Sequence, residues 1–302
     1  MGALCDEVSA EGAGEEGRGD EGLGRGFPTM TPSIHPLAFV DPTAQLADGV
    51  RIGPFAVIGA GVEIGEGTEI GAGAKVYGPA RIGRENHIYP NAAIGFDPQD
   101  LKFKGEEVKL EIGDSNVFRE FCTVHRGTAK GGGVTRIGNE GLYMAYTHIA
   151  HDCQVGSRII FANNATLAGH VEVHDDANIS AFSSVHQFCR VGRHAYVGGY
   201  TVATMDVLPY VKTVGQKPAC YGLNSIGLRR KDFEPERVRR LELAYRILVR
   251  SKLNTQQALE RLKAELAGDP DVDYLIGFVE SSQRGIHKST PRGGARGGGE
   301  PE

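Results

Sequence analysis

Aliphatic residues recur along this chain at a spacing that belongs to neither a helix nor an ordinary strand. Ile34, Val40, Leu46, Ile52, Ile58, Ile64, Ile70, Val76, Ile82, Ile88 and Ile94 lie six residues apart without a break. Ile112, Phe118 and Val124 resume the ladder. A second long run comprises Ile137, Tyr143, Ile149, Val155, Phe161, Leu167, Val173, Ile179, Val185, Val191 and Val197. A helix repeats every ~3.6 residues and a half-buried strand every two. A period of six fits short strands joined by turns, with one aliphatic per strand pointing into a prism. That is a parallel β-helix of hexapeptide repeats.

The ladder breaks twice. Residues 95–111 (GFDPQDLKFKGEEVKLE) keep its phase but lack aliphatics at 100 and 106, whereas residues 125–136 carry GTAKGGG and shift the phase by one. Both predict loops extruded from the prism, where insertions are tolerated and function tends to sit. After Val202 the period gives way to helical patterning. Pro235 to Lys252, with Val238, Leu241, Ala244, Ile247 and Leu248, predicts an amphipathic helix, and Thr255 to Leu266 a second. Asp269-Pro270 is the N-cap and first turn of a third, which carries Val272, Leu275, Ile276 and Val279. The expected division is a β-helix over 30–203 and a helical domain over 204–288 that covers the open last coil. Residues 1–29 and 289–302 are expected to be disordered tails, and Met30 marks an alternative start of translation.

Composition sharpens this picture. The chain has 43 glycines in 302 residues, and many in the body directly follow a ladder aliphatic, among them Gly53, Gly65, Gly83, Gly138 and Gly156. The expectation is that a small residue suits a tight corner there. Aromatics are only 7% with no Trp, as a narrow prism filled by Ile, Val and Leu requires. A net charge of −5 argues against a nucleic-acid partner. Five widely spaced cysteines with no CxxC pair predict free thiols in a reducing compartment, hence a cytoplasmic protein. No apolar stretch approaches the ~18 residues of a membrane anchor.

Five of the ten histidines, His125, His148, His151, His170 and His186, fall in or near the second run. If a coil takes eighteen residues, His148 has phase 4, His186 phase 6, His151 and Gln187 phase 7, and Asp152 and His170 phase 8. With the seven-residue GTAKGGG insertion excised, His125 joins them at phase 6, whereas His174 and His194 do not. One edge of the prism therefore gathers histidines, and His151 with Asp152 could form a general base with an orienting carboxylate. A three-histidine zinc site is the competing reading, which spacing alone leaves open. The loop Gln99-Asp100-Leu101-Lys102-Phe103-Lys104 could contact a sugar or phosphate, and Arg229-Arg230-Lys231 a phosphate or an acidic carrier protein.

Five segments carry a resemblance: IGFDPQDLKFKGE (94–106), TVHRGTAKGGGVTRIG (123–138), HIAHDCQVG (148–156), FANNATLAGHV (161–171) and VHQFCRVG (185–192). In these the chain resembles the UDP-N-acetylglucosamine O-acyltransferases, which begin lipid A synthesis. The resemblance implies a left-handed parallel β-helix with a C-terminal α-helical domain, assembled as a homotrimer. It implies transfer of a 3-hydroxyacyl group from acyl carrier protein to the glucosamine 3-hydroxyl of UDP-N-acetylglucosamine. The acyl group would ride on the carrier's phosphopantetheine, with no separate cofactor and no metal.

By the same resemblance His151 is the general base, Asp152 orients it, and the Gly169 N–H stabilises the oxyanion. His125, His148, His170, His186 and Gln187 would line the cleft, while Gln99, Asp100 and Lys102 hold the sugar nucleotide. Asn224 and Arg230 match nucleotide positions, and Gly199 the position that measures acyl length. Lys217, Ile226 and Lys231 depart from the family pattern on the nucleotide side. Two other readings stand beside this one: another hexapeptide acyltransferase of the same pathway, and a zinc lyase of the γ-carbonic-anhydrase type.

Overall fold

Most hexads fold into a strand of two to four residues ending on the ladder aliphatic, followed by a tight turn. The third residue past the aliphatic takes the left-handed conformation, as at Phe55, Asn91, Asp152, His170 and Tyr200 (φ 54–64°). A non-glycine residue there costs on the order of 1 kcal/mol, and the hydrogen-bonded stacking of the coils holds it in place. The computed structural model describes residues 31–289, so the expectations for residues 1–29, Met30 and 290–302 lie outside the described residues. The chain is a left-handed parallel β-helix with three faces of 11, 9 and 8 strands.

Coils stack through regular parallel pairing. Ile52 pairs with Ile70, and Ile70 with Ile88, each eighteen residues on. Ile88 then pairs with Phe118 and Phe118 with Tyr143, because two loops intervene. These run over 97–108 and 126–133, narrower than the sequence pattern implies. The flanking strands Ala93–Phe96, Lys109–Ile112 and Val134–Ile137 lengthen to four residues and absorb the difference. Inside the prism Ile58, Val76, Ile94, Leu167, Ile179 and Val197 are all fully buried. Each such side chain contributes about 1.5–3 kcal/mol of apolar burial. Ile34, on the first described coil, lies on the edge strand of its face among the described residues and is 46% exposed.

The glycines that follow ladder aliphatics do not serve the left-handed turn, which corrects the expectation about corners. Apart from Gly95 they have no positive φ. Their requirement is distance: a Cβ on Gly65 would lie 2.6 Å from the Gly83 carbonyl carbon of the next coil, and one on Gly138 2.7 Å from that of Gly156. Neighbouring parallel strands sit about 4.8 Å apart, and where such glycines stack coil on coil the backbones leave no room for a side chain.

Beyond Val202–Ala203 the chain is not at once helical, a second correction. Val211–Val214 pairs in parallel with Tyr196–Val197 and extends the first face, and Ala219–Leu223 returns antiparallel to it. The GLNSIG stretch opens a short helix α1 (Ser225–Arg230), because the Asn224 side chain accepts the Gly227 N–H. Helices α2 (Pro235–Tyr245), α3 (Thr255–Leu266) and α4 (Pro270–Glu280) follow, with α2 running on into a wider π-turn at Arg246–Arg250. Asp269 caps α4 by accepting the N–H groups of Asp271 and Val272. Arg190 on the last coil joins the two parts, donating to the Asp206 carboxylate at 2.8 Å and to the Phe278 carbonyl at 2.7 Å.

One ladder position violates the chemistry of its neighbours. Tyr143 is fully buried between Phe118 and Phe161, and its hydroxyl has no hydrogen-bond partner. Replacing Tyr143 by Phe is expected to raise unfolding stability by about 1 kcal/mol, since it removes an unsatisfied buried oxygen. A denaturant melt checks this, and a lowered midpoint would show that the hydroxyl is paired in solution.

Candidate active site

The edge between the second and third faces is built from three consecutive turns. Ala150-His151-Asp152 leaves the strand His148–Ile149, Ala168-Gly169-His170 leaves Thr166–Leu167, and His186-Gln187-Phe188 leaves Ser184–Val185. Stacking superposes these turns, as the pairing of His148 with Thr166 and of Thr166 with Ser184 requires. Residues separated by eighteen positions thereby become neighbours, as the histidine phases anticipate.

At the centre His151 Nδ1 lies 2.8 Å from Asp152 Oδ2. The Asp152 side chain is fully buried and that of His151 is 16% exposed. Burial works to raise the Asp152 pKa, but hydrogen bonds from His151 and from the Thr128 N–H and hydroxyl, with the charge of His170, outweigh it. The carboxylate is therefore held below its ordinary range, ionised and able only to accept. An acceptor at Nδ1 puts the proton on that nitrogen and leaves the Nε2 lone pair of neutral His151 free. The ring rests on Gly169, where a Cβ would approach Cε1 to 2.5 Å and Nε2 to 2.8 Å. Gly169 carries negative φ, so it is a glycine because the imidazole needs the space. Its N–H donates to no acceptor among the described residues.

Neutral imidazoles surround this pair. Burial lowers the His125 pKa, although the Asp97 carbonyl, 2.5 Å from Nδ1, works the other way. His148 contacts the Thr123 hydroxyl at 2.7 Å, and burial, with the charges of His125 and His151, pushes its pKa down to about 4. Burial also lowers the pKa of His170, which stacks on Phe188 with centroids 4.5 Å apart. His186 and Gln187 are exposed on the same edge, and Arg284 donates to His186 Nδ1 at 3.2 Å.

The 97–108 loop leans toward this edge. Asp100 Oδ1 accepts the Lys102 N–H at 2.9 Å, and the Asp100 charge acts on His170. Gln99 and the Lys102 side chain are exposed. The loop base is fastened by Arg126, whose guanidinium pairs with the Asp97 carboxylate and donates to the Gly78 carbonyl at 2.6 Å.

Three site candidates lie elsewhere in the chain. Gly199 belongs to the edge between the first and second faces. A Cβ there would come no nearer than 3.4 Å to any atom (Ala181 O), so coil packing does not demand this glycine. Asn224 Nδ2 donates to the carbonyl of His194, at the edge between the third and first faces, and Arg230 is exposed at the end of α1. Lys231, a departure from the family pattern, is held by Asp176 at 2.7 Å.

Two alternative chemistries meet this geometry. Cys153 is buried, with its thiol pushed up to about 12 by burial, and donates to the Ala168 carbonyl, so it offers no thiolate. His151, Asp152 and His170 present donor atoms within 4.8 Å of one another, a set that could hold a divalent cation. Asp152 Oδ2, however, already receives both His151 and the Thr128 hydroxyl, the coordination of a hydrogen-bonded carboxylate. Thr128 is a site residue that motif reasoning missed. Its signal is present in HRGTAKGGG, but the contact exists only because the loop folds back by 24 residues.

Comparison with known proteins bears on the whole chain. The family model described as "Udp N-acetylglucosamine O-acyltransferase; Domain 2" matches residues 206–287, and a bacterial transferase hexapeptide model matches 61–95. The acyl-[acyl-carrier-protein]–UDP-N-acetylglucosamine O-acyltransferase of Anaeromyxobacter dehalogenans is 56% identical over 254 residues, 84% of this chain and 99% of the relative. That of Alkalilimnicola ehrlichii is 56% identical over 84% of this chain and 98% of its own length. The solved UDP-N-acetylglucosamine acyltransferase of Bacteroides fragilis superposes with a TM-score of 0.82 at 43% identity, covering 84% of this chain and 99% of that one. The Francisella novicida enzyme gives 0.82 at 40% identity, covering 84% and 93%. A likeness this close, over both the β-helix and the helices, means that the chain belongs to the UDP-N-acetylglucosamine O-acyltransferase family.

Proposed function

We propose that this protein transfers a 3-hydroxyacyl chain from acyl carrier protein to the glucosamine 3-hydroxyl of UDP-N-acetylglucosamine, the first step of lipid A biosynthesis. The observation that carries the reading is the His151–Asp152 pair, with Nε2 free beside the unpaired Gly169 N–H, in a chain of this family. His151 Nε2 takes the proton of the sugar hydroxyl as its oxygen attacks the thioester carbonyl. The buried Asp152 carboxylate stabilises the imidazolium that forms. The Gly169 N–H donates to the oxyanion of the tetrahedral intermediate. On collapse the C–S bond breaks, His151 returns the proton to the departing phosphopantetheine sulfur, and the sugar keeps the acyl group as an ester. The step needs no cofactor, no metal and no covalent enzyme intermediate.

Burial disfavours the charged forms of His125, His148 and His170, so they serve as hydrogen-bonding walls, while His151 has the carboxylate partner that proton transfer needs. Gln99, Asp100 and Lys102 hold the sugar nucleotide from the loop above, and His186 and Gln187 line the rim. No helix among the described residues is long and apolar enough to cross a membrane.

The site is read as complete only between copies of the chain. Gly199 lies on another edge of the prism and Asn224 and Arg230 at the ends of the first helix of the C-terminal part, so the cleft is read as combining them with His151 from different copies of the chain. The edge that carries Gly199 is also lined with exposed aromatics in stacked pairs, Phe121 on Tyr146 and Phe182 on Tyr200. Such a ladder suits contact with another protein surface. With the homotrimer that the family resemblance implies, a closed ring of three chains would hold three such clefts.

Two outcomes test this reading. His151→Ala should lower kcat for transfer from acyl carrier protein to UDP-N-acetylglucosamine by about 10³-fold or more while the assembly stays folded. Near-normal turnover would remove His151 from its role. Mixed assemblies of His151→Ala and Arg230→Ala chains should recover about a quarter of wild-type activity, because random assortment rebuilds some clefts with both residues intact. Activity no higher than the average of the two parents would place the whole site in one chain.

A further inference from the structure

The Asp152 carboxylate is gripped from a direction that the dyad itself does not explain. Its Oδ1 accepts the Thr128 backbone N–H at 2.8 Å, and its Oδ2 accepts the Thr128 hydroxyl at 2.7 Å. That same Oδ2 receives His151 Nδ1 at 2.8 Å, with His170 Nε2 only 3.6 Å away. One oxygen therefore lies between two imidazoles, and rotation about the Asp152 side chain decides which of them it serves. Thr128 is buried, and its hydroxyl also accepts the Gly131 N–H at 3.2 Å. With a lone pair occupied by Gly131, the hydroxyl hydrogen is left for Asp152.

The segment that carries Thr128 is pressed against the carboxylate. A Cβ on Gly131 would lie 2.1 Å from Asp152 Cγ, so only a glycine allows the approach. Both ends of the segment are tied to the β-helix: the Gly127 N–H donates to the Lys109 carbonyl, and Val134 opens a strand paired with Lys109–Ile112. From below, the Asp152 N–H donates to the Thr135 hydroxyl at 2.8 Å. Both carboxylate oxygens are thus held by one residue, with Gly131 packed against Cγ.

We propose that Thr128 is a positioning residue for acyl transfer: its hydroxyl and N–H fix the plane of the Asp152 carboxylate so that Oδ2 serves His151 rather than His170. The inference rests on the acyl-transfer reading above. Thr128 touches neither substrate; it acts through Asp152 on the tautomer and aim of His151. Without its hydroxyl, Oδ2 is free to turn toward His170, and His151 loses the acceptor that keeps its Nε2 unprotonated. Small misplacements of a catalytic group carry rate costs of this kind.

Thr128→Val keeps the shape and the backbone N–H and deletes only the hydroxyl, and Thr128→Ser restores it. With wild type and His151→Ala assayed alongside, Thr128→Val should lower kcat by about tenfold or more, with the KM for both substrates within about twofold of wild type. Thr128→Ser should return kcat to within about threefold of wild type. A general loosening of the loop would instead raise KM or leave Thr128→Ser as impaired as Thr128→Val, and either result overturns the proposal. So does a Thr128→Val enzyme with wild-type kcat while His151→Ala is dead, an outcome that leaves the acyl-transfer reading standing. No transfer by wild type overturns both.

Discussion

The distance between stacked coils governs everything else in this molecule. Parallel pairing sets the strands about 4.8 Å apart, and where glycines that follow ladder aliphatics stack coil on coil, the backbones approach until a Cβ would collide with the carbonyl of the next coil, as at Gly65 and Gly83. Glycine there lets the prism close, and the left-handed residue two positions later turns the chain onto the next face. The active edge uses the same tolerance twice. His151 lies flat against Gly169 where a side chain would otherwise stand, and the 126–133 loop lays Gly131 against Asp152. A packing rule of the scaffold has become the means of seating a base and its carboxylate.

The electrostatics follow from where that edge is buried. One carboxylate, ionised and saturated with donors, sits among imidazoles of which His125, His148 and His170 are driven toward the neutral form by desolvation. The asymmetry separates the roles of chemically similar side chains. His148 sits next to the Thr123 hydroxyl and Nδ1 of His125 close to the Asp97 carbonyl, whereas His151 alone has the anionic partner at hydrogen-bonding distance. Loop residues complete the arrangement from outside the prism: Asp97 and Arg126 fasten the arm that brings Asp100 within range of His170.

Much of this is legible in the sequence because the repeat is strictly local. A six-residue period names the ladder, and an eighteen-residue coil converts sequence separation into spatial stacking, so His151, His170 and Gln187 come together on paper as they do in the fold. Helices α3 and α4 are equally legible, since Asn254 and Asp269 carry ordinary capping chemistry. What is not legible depends on contacts without a period. Thr128 reaches Asp152 through an insertion whose path no repeat dictates. The hairpin at Val211–Leu223 forms because the first face offers Tyr196–Val197 as a strand to pair with, and local propensity carries no trace of that. The glycine positions were visible, but their cause was not: composition suggests a turn, whereas the coordinates give interstrand distance. Gly199, Asn224 and Arg230 show a further limit, since the chain's own contacts do not bring them to the edge that carries His151.

In the proposed reaction the sugar is held, and its 3-hydroxyl reacts, at the edge that carries His151, Asp152 and Gly169. A crystal structure of the protein bound to UDP-N-acetylglucosamine tests it most directly. The glucosamine 3-hydroxyl should lie within about 3 Å of His151 Nε2, under the loop that carries Asp100 and Lys102. A sugar nucleotide seated on another edge, with its 3-hydroxyl out of reach of His151, would contradict the account.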